Sequence, residues 1–427
     1  MQGHKLQQRA LLVTFSIALM GATKPAPPVP EGAPSAARTQ ALPGDDLFAQ
    51  GRFEEAARVY EDSAKAAPGS GPALARLARA RLYEGRESEA LDLAQKALAM
   101  APGDPVATAT MGMARVRQRN FGADFYEIEN PEVTGSVPFV ITDPLPVVHV
   151  TIGERQATFL IDTGAPDIML RRPFAEALGL PISEGGVGVF AGGLQGRVER
   201  TVVPELEIGG IRIRNVPAGI NPSADGLKLP GVELDGVIGT GLLMHFLSTL
   251  DYCTGKLTLA PRDTSAAFQA RAAEGGANIV PFWFVGDHFI FARGKLNQAE
   301  GLFLIDTGLA GGGLVAPKAT LDAAGVTIDE SKTMTGQGGG GAVQFVPFRA
   351  AATLGNLTRD DLPGVYMPGG GNPLSAFPFR SSGMISHGFF RESRLTFDFE
   401  AMKLATESCQ AGNDVRGSKA DSLLPTH

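Results

Sequence analysis

The sequence has little cysteine, tryptophan and charge. Two cysteines and one tryptophan occur in 427 residues, and charged residues make up 19%, below the roughly 25% usual for soluble proteins. Cys253 and Cys409 are too few for a disulfide scaffold or a zinc site, and they do not form a CxxC motif. The net charge is −7 and no long run of lysine and arginine occurs, which argues against nucleic acid as a partner.

Several familiar catalytic signatures are also missing. The sequence contains no GxSxG, HExxH or Walker A string. Its six histidines lack metal-ligand spacing, and we interpret each one as a surface or packing residue: His4, His149, His245, His288, His387 and His427. Residues 336–341 satisfy GxGxxG, but a strand-like run follows them instead of a helix. We therefore predict neither a metal nor a cofactor.

The composition favours a globular protein with many turns. Its 54 glycines and 30 prolines make up about a fifth of the chain, which favours short strands over long helices for much of its length. The length allows two to four domains, and the apolar fraction of 44% is ordinary. An all-helical protein, a disordered chain and a polytopic membrane protein are not expected.

The N-terminus has the pattern of an export signal. Lys5 and Arg9 precede an uncharged run of 13 residues at 10–22, too short for a bilayer span. Met20 lies at the −3 position of a cleavage after Ala22, where a small residue is preferred, so an uncleaved anchor is the alternative to a cleaved signal peptide at 1–22. A Pro-rich linker follows at 23–43. We expect an exported, periplasmic protein that contacts the membrane only through such an anchor.

A 34-residue period follows the linker. Gly51, Ala56 and Pro68 recur as Gly85, Ala90 and Pro102 in sequence with helical spacing of apolar residues. Residues 44–122 thus resemble tetratricopeptide repeats, including an aromatic at Tyr60, and a further helix is expected from Met111 to near Phe121. The predicted packed face of the second repeat consists of Leu74, Leu77, Ala78, Ala94 and Ala97. The resemblance implies a protein partner; the alternative is a helical spacer.

A second, larger repeat carries the chemistry. The string FLIDTG at residues 159–164 recurs at 303–308, each time after an apolar, β-rich run. A second block, GVIG at 236–239, corresponds to GMIS at 383–386, followed by further matches at the same offset of 147. The chain therefore contains two copies of one lobe.

Each copy places an aspartate on a tight turn after a strand, where burial of a charge is costly. Two such turns related by a pseudo-two-fold would bring Asp162 and Asp306 together. Two carboxyls in contact do not both ionise cheaply, so one keeps its proton. Such a pair can activate water and protonate a carbonyl without a metal, which suits amide hydrolysis.

With these motifs, residues 130–405 resemble an aspartic protease of the retropepsin-like kind, with both lobes in one chain. The resemblance implies that Asp162 and Asp306 form a catalytic dyad, supported by Thr163, Gly164, Thr307 and Gly308. The expected fold class is a multidomain α and β protein: helical tetratricopeptide repeats, then a bilobal, mainly-β aspartic protease fold of two retropepsin-like barrels. The expected limits are 130–265 for the first lobe, 278–405 for the second and 406–427 for a C-terminal tail.

Glycine-rich stretches lie where the resemblance places substrate-binding flaps. The first includes Gly188, Phe190 and Gly192, and the second includes Gly338 and Gly339. Mobile hairpins there would close over an extended polypeptide substrate. The alternative is a pair of flexible surface loops.

Some positions depart from the family pattern. Leu309 occupies the place of a small residue, and Ser386 replaces a glycine of the second apolar motif. Both lie in the second copy, where an altered turn would weaken catalysis. Asp167 is interpreted as a turn residue, with contact to substrate backbone as the alternative. Cys253 and Cys409 could pair in an exported protein, although they are not equivalent in the repeat.

These observations predict an exported aspartic endopeptidase that cleaves peptide bonds with water activated by the two aspartates. The alternative is a weakly catalytic pseudo-protease that acts as an envelope scaffold and binds proteins through its tetratricopeptide repeats.

Overall fold

A helical region opens the described part of the chain. The computed structural model describes residues 41–122, 124–189, 195–221, 228–229, 231–310, 312–338, 341–368, 374 and 377–409. The predicted signal segment at 1–22 and most of the linker lie outside these residues. The first helices are α1 (Asp45–Ala49), α2 (Phe53–Ala66), α3 (Gly71–Tyr83), α4 (Glu87–Met100) and α5 (Pro105–Asn120). Within the described ranges no helix is long and apolar enough to cross a membrane.

Small residues allow these helices to pack closely. Ala56 and Ala90 are fully buried, and Gly51 and Gly85 adopt the left-handed backbone of the tight turns before α2 and α4. Most of the predicted packed face is buried, whereas Leu74 is half-buried.

The expected start of the last helix at Met111 is wrong. Helix α5 begins six residues earlier, at Pro105, because the Asp104 side chain accepts a hydrogen bond from the Ala107 amide at 2.9 Å and caps it. Its end at Asn120 agrees with the prediction.

The N-terminal β half consists of short strands and two short helices. Its strands are β1 (Glu127–Ile128), β2 (Gly135–Ile141), β3 (Val147–Ile152), β4 (Arg155–Ile161), β5 (Ile168–Arg171), β6 (Ser183–Val189), β7 (Gln195–Ile208), β8 (Ile211–Asn221), β9 (Lys228–Leu229), β10 (Val232–Glu233), β11 (Gly236–Ile238), β12 (Phe246–Asp251) and β13 (Lys256–Pro261). Its helices are α6 (Arg172–Ala177) and α7 (Thr240–Leu243).

The C-terminal β half follows helix α8 (Ser265–Glu274). Its strands are β14 (Asn278–Val285), β15 (Phe289–Leu296), β16 (Ala299–Asp306), β17 (Leu314–Val315), β18 (Met334–Gly338), β19 (Gly341–Leu354), β20 (Leu357–Tyr366), β21 (Gly383–Ser386), β22 (Ser393–Asp398) and β23 (Lys403–Ser408). Its helices are α9 (Lys318–Ala323) and α10 (His387–Phe390), and short 3-10 turns lie at Arg262–Thr264 and Glu330–Lys332.

The two β halves share one pairing pattern. In the first, β4 pairs antiparallel with β3 and parallel with β11, which also pairs with β5. In the second, β16 pairs antiparallel with β15 and parallel with β21, which also pairs with β17. The hairpins β6–β7 and β18–β19 occupy equivalent places. The aspartate of each FLIDTG string therefore lies at the end of a strand that has a hydrogen-bonded neighbour on either side.

An antiparallel sheet joins the halves, with the strand order β2, β13, β12, β22, β23, β14. Strands β12 and β22 meet at its centre, where Thr249 pairs with Thr396 and their hydroxyl oxygens lie 2.8 Å apart. Because these residues are equivalent in the repeat, the local two-fold relation passes between the two strands.

The strands extend past the expected lobe limits in two places. Strand β1 begins at Glu127, before residue 130, because it pairs with β8. Strand β23 continues to Ser408, into the expected tail, and Cys409 forms a disulfide with Cys253. The rest of the tail, from residue 410, lies outside the described residues.

The helical region packs against the C-terminal β half. The Phe53 ring lies 5.0 Å from Phe379 and 5.7 Å from Trp283, centroid to centroid. A Cβ added at Gly51 would lie 2.8 Å from Leu302 Cδ2, and one at Gly85 would lie 2.8 Å from Met402 Sδ. The turns of the repeats therefore touch the β half directly.

Candidate active site

The two aspartates stand at equivalent strand ends. Asp162 directly follows β4, and its amide donates to the Ile238 carbonyl of the parallel strand β11 at 2.9 Å. Asp306 is the last residue of β16, level with Ser386 of β21. The second apolar motif of each half thus runs beside the corresponding FLIDTG turn.

Reciprocal hydrogen bonds hold the two turns together. The Thr163 amide donates to Thr307 Oγ1 at 3.1 Å, and the Thr307 amide donates to Thr163 Oγ1 at 3.0 Å. Each hydroxyl in turn donates across the interface, Thr163 to the Ile305 carbonyl and Thr307 to the Ile161 carbonyl. Since all four contacts cross between the halves, the threonines fix the separation of the turns.

Glycine allows the carboxyl groups to approach. A Cβ at Gly164 would lie 2.3 Å from Asp306 Oδ2, and one at Gly308 would lie 2.3 Å from Asp162 Cγ. Any larger residue would therefore push the carboxyls apart. The Gly164 amide donates to Asp162 Oδ1 and the Gly308 amide to Asp306 Oδ1, both at 2.8 Å.

Burial and mutual contact set the protonation of this pair. Burial, the charge of Asp306 and a hydrogen bond to its carboxyl raise the pKa of Asp162 well above its ordinary value. Burial also raises the pKa of Asp306, partly offset by the Gly308 amide, the Asp162 carboxyl and the charge of His288. Burial therefore disfavours the state in which both carboxyls are ionised.

Hairpins lie where the flaps are expected. Gly188 is in β6 and Gly338 is in β18, each near the tip of its hairpin. Phe190, Gly192 and Gly339 lie outside the described residues. The structure brings Asp162, Asp306 and their four supporting residues together.

Ser386 stabilises the second turn through hydrogen bonds that have no direct counterpart in the first turn. Its hydroxyl donates to the Asp306 carbonyl and accepts from the Leu309 amide at 3.2 Å. In the first half, Thr240 Oγ1 donates to the Thr163 carbonyl at 2.8 Å. The serine thus satisfies buried backbone groups that a glycine would leave without this partner.

Leu309 fits because a neighbouring glycine leaves space. It is fully buried, and a Cβ at Gly312 would lie 3.0 Å from Leu309 Cδ2. The geometry of the second turn accordingly matches that of the first in its threonine and glycine contacts.

Asp167 is tied to the body of the protein. Its Oδ1 accepts a hydrogen bond from the Tyr126 hydroxyl at 2.9 Å. Burial and the charge of Asp287 raise its pKa to about 6. These contacts agree with a structural turn residue.

The sequence analysis did not mention Asp287 and treated His288 only as a surface or packing residue. His288 is fully buried, and its Nδ1 lies 2.5 Å from Asp287 Oδ1. The 144-residue offset of the FLIDTG repeat aligns Asp287 with Asp143, and this alignment could have identified Asp287 from the sequence. His387 is a buried packing residue whose Nε2 contacts Asp143 Oδ1 at 3.0 Å, in line with its interpretation from sequence.

Within the described residues, no group of three or more His, Cys, Asp or Glu side chains is placed to hold a metal. The side chains gathered at the two turns offer the chemistry of two neighbouring carboxyls.

Two family models match this chain. Residues 148–242 match the aspartyl protease model, a stretch that contains Asp162 and ends before Asp306. Residues 47–114 match the tetratricopeptide repeat model. The expected resemblance to an aspartic protease is confirmed for residues 148–242 and that to tetratricopeptide repeats for residues 47–114. The expected fold class of helical repeats before a mainly-β region is confirmed as well. The arrangement of two protease lobes in one chain stays a prediction. No curated protein sequence matches the chain.

Solved structures of aspartic protease type are among those similar to this chain. A retropepsin-like aspartic protease from Rickettsia conorii is 18% identical with a TM-score of 0.22, over 31% of this chain and 92% of its own. Aspartic proteinase from Irpex lacteus is 12% identical with a TM-score of 0.39, over 65% and 98%. Basic 7S globulin from soybean is 11% identical with a TM-score of 0.36, over 67% and 95%.

Proposed function

We propose that this protein is an aspartic endopeptidase whose catalytic pair, Asp162 and Asp306, comes from the two β halves acting as lobes of one enzyme. The burial of both carboxyls, at two turns that reciprocal threonine hydrogen bonds hold together, carries the proposal. A buried charge is costly, and two adjacent carboxyls that share a proton supply a base and an acid in one place. The aspartyl protease match over residues 148–242 supports protease chemistry.

The mechanism needs only water and this pair. The ionised carboxyl takes a proton from a water molecule, whose oxygen forms a bond to the carbon of the scissile amide. The protonated carboxyl gives its proton to the carbonyl oxygen. The carboxyl that took the proton of water then gives it to the amide nitrogen as the C–N bond breaks. One hydroxyl of the tetrahedral intermediate returns its proton to the other carboxylate, which leaves a carboxylic acid, an amine and the pair in its starting state. The threonine contacts keep both carboxyls in place throughout.

The substrate is an extended polypeptide bound between the lobes and the two hairpins. A strand-like segment can pair with the edge of a hairpin, so we assign the hairpins β6–β7 and β18–β19 to the binding of the substrate backbone. The tetratricopeptide repeats contribute a protein-binding surface. Export to the periplasm follows from the N-terminal pattern, and the Cys253–Cys409 disulfide supports an oxidising compartment.

A peptide-library digest tests this function. The mature protein is incubated with the library from pH 3 to pH 8 beside Asp162→Asn and Asp306→Asn, which keep the shape of each side chain but cannot ionise. We expect cleavage by the wild type and a loss of at least a hundredfold in both variants. Asp360→Asn, an exposed substitution in β20, is the matched control and should cleave normally.

Two results would overturn the proposal. Equal cleavage by the wild type and either dyad variant would show that the pair is not catalytic. An absence of cleavage at every pH by the folded wild type would favour the alternative, a scaffold that binds proteins through its repeats. In that case, binding of a protein partner by both Asp162→Asn and Asp306→Asn would show that the scaffold function does not depend on catalysis.

A further inference from the structure

The residues that follow the two active turns differ at one equivalent place. The Gly239 amide donates to the Asp167 carbonyl at 3.1 Å, and its equivalent in the repeat, the Ser386 amide, donates to the Gly313 carbonyl at 2.9 Å. Gly313 therefore occupies in the second half the place that Asp167 occupies in the first. Only the turn that carries Asp162 is followed by a carboxyl group at this place.

The Asp167 side chain lies between helix α7 and a tyrosine. Its Oδ1 accepts a hydrogen bond from the Tyr126 hydroxyl at 2.9 Å. A Cβ at Gly241, in α7, would lie 2.2 Å from the same oxygen, so the carboxyl group fits there because this residue is glycine. The Gly241 amide also donates to the Pro166 carbonyl at 2.5 Å. Asp167 is therefore held by α7 on one contact and by Tyr126 on another.

The segment from Asp162 to Asp167 is a short series of hydrogen-bonded turns. The Ala165 amide donates to the Asp162 carbonyl at 3.1 Å, and the Ala165 carbonyl accepts from the Thr240 amide at 2.9 Å. The Thr240 hydroxyl donates to the Thr163 carbonyl at 2.8 Å. Because Asp167 ends the same segment that Asp162 begins, a displacement of Asp167 moves the turn that carries the first catalytic aspartate.

Tyr126 comes from the segment that joins the helical region to the β halves. It lies between α5 and β1, is 4% exposed, and its amide donates to the Asn215 carbonyl at 3.3 Å. The centre of its ring lies 4.2 Å from that of His245, whose ring centre lies 4.7 Å from that of Phe121, directly after α5. The φ of Tyr126 is 52°, in the left-handed region that a bulky residue seldom adopts. Its surroundings must therefore hold it in this conformation.

The second turn obtains its support from within its own half. The Ser386 hydroxyl donates to the Asp306 carbonyl. Gly239 stands at the equivalent place in the first half and has no side chain that could do the same. The first half instead has the hydrogen bond between Tyr126 and Asp167, which reaches the active turn from the segment after the helical repeats.

We infer that Tyr126 is a positioning residue of the proposed enzyme: its hydrogen bond to Asp167 holds the first active turn, so the segment that leaves the tetratricopeptide repeats completes the support of Asp162. Tyr126 acts through Asp167 and the turn. Its effect on catalysis rests on the proposed function, whereas its effect on the order of the first turn does not.

Four variants test the hydrogen bond. Tyr126→Phe removes the hydroxyl and keeps the ring on His245. Tyr252→Phe is the matched control: Tyr252 is also buried and its ring centre lies 5.2 Å from that of His387, but its hydroxyl has no hydrogen-bond partner among the described residues. Asp167→Asn keeps an oxygen that can accept from Tyr126, whereas Asp167→Ala removes the acceptor.

Hydrogen–deuterium exchange of the full chain, read by mass spectrometry, measures the order of the turns without turnover. In Tyr126→Phe and Asp167→Ala we expect about tenfold faster exchange in a peptide over residues 158–168, because the turn loses one hydrogen bond that holds it. A peptide over residues 301–310, which covers the second turn, should exchange as in the wild type. Tyr252→Phe and Asp167→Asn should stay close to the wild type in both peptides.

Cleavage kinetics measure the consequence for catalysis. Tyr126→Phe and Asp167→Ala should lower kcat about tenfold with little change in KM, because a small displacement of a catalytic group slows the chemical step more than it weakens binding. Tyr252→Phe and Asp167→Asn should keep kcat within about twofold of the wild type.

Three outcomes would overturn the inference. The first is equal exchange of the first turn in Tyr126→Phe and the wild type. The second is faster exchange throughout the chain, which would mark a general loss of stability. The third is a rise in KM at unchanged kcat, because Asp167 would then act on the bound substrate. If the wild type cleaves no peptide, the proposed function fails, while the exchange of the two turns still decides the role of Tyr126.

Discussion

The Arg117 Nε atom donates a hydrogen bond to the Gly286 carbonyl oxygen at 2.8 Å, across 169 residues of chain. The same guanidinium donates to the Leu82 carbonyl at 2.7 Å, so it joins two helices to the turn between β14 and β15. Arg117 is a buried cation that donates to three backbone carbonyls, and these hydrogen bonds link the helical region to the C-terminal β half. The repeats are therefore part of the structural body that carries Asp306.

Replacement of this arginine should weaken the whole protein. Arg117→Met leaves buried carbonyls without their donor, and we expect a loss of about 3 kcal/mol in the free energy of unfolding. Urea denaturation of the full chain measures it. Arg86→Met, which removes a half-exposed arginine that pairs with Glu89, should cost under about 1 kcal/mol. Equal losses of unfolding free energy in the two variants would contradict a linking role for Arg117.

Ser386 should prove necessary although it departs from the family pattern. In Ser386→Gly the Leu309 amide and the Asp306 carbonyl lose their side-chain partner. We expect a loss of about 2 kcal/mol in stability and a lower kcat. Ser248→Ala removes one buried hydroxyl bond away from the turns and should leave kcat unchanged. A gain in kcat for Ser386→Gly would mean that the serine impairs the site.

The disulfide should contribute strongly to stability because it closes a long loop. Cys253 and Cys409 are 156 residues apart, and chain entropy predicts about 5 kcal/mol for such a link. Reductant should lower the urea midpoint of the wild type to that of Cys253→Ser/Cys409→Ser, which should not respond to reductant. Free thiols in the native, oxidised protein would refute the link.

Asp167 should make stability depend on pH. Its folded pKa of about 6 exceeds the ordinary value of 3.8, so the folded state binds the proton more tightly. This stabilisation is complete at low pH and is lost as the pH rises through about 6. Asp167→Asn should therefore gain stability relative to the wild type between pH 4 and pH 7, by at most about 3 kcal/mol.

Urea midpoints across that pH range test the effect, with Asp360→Asn as an exposed control that keeps the wild-type dependence. A constant difference between Asp167→Asn and the wild type at all pH values would show that Asp167 does not titrate in this window.

Much of the site could be predicted because its turns are encoded locally. FLIDTG specifies a strand, a tight turn and the glycine that permits close approach, and its duplication indicated that the two aspartates meet. The 34-residue period likewise predicted the paired helices. The start of α5 was predicted too late because the prediction relied on the spacing of apolar residues. It did not use Asp104 and Pro105, which are a typical helix cap and first helical residue.

The sequence by itself determined which side chains form the site, since turn chemistry and repeat periodicity act over a few residues. Only the tertiary structure decided how they are surrounded: that Cys253 meets Cys409, that Ser386 bonds to the Asp306 carbonyl, and that Arg117 bonds to the turn between β14 and β15. These features depend on burial and on contacts between residues more than a hundred positions apart, and such contacts leave no local pattern in the chain.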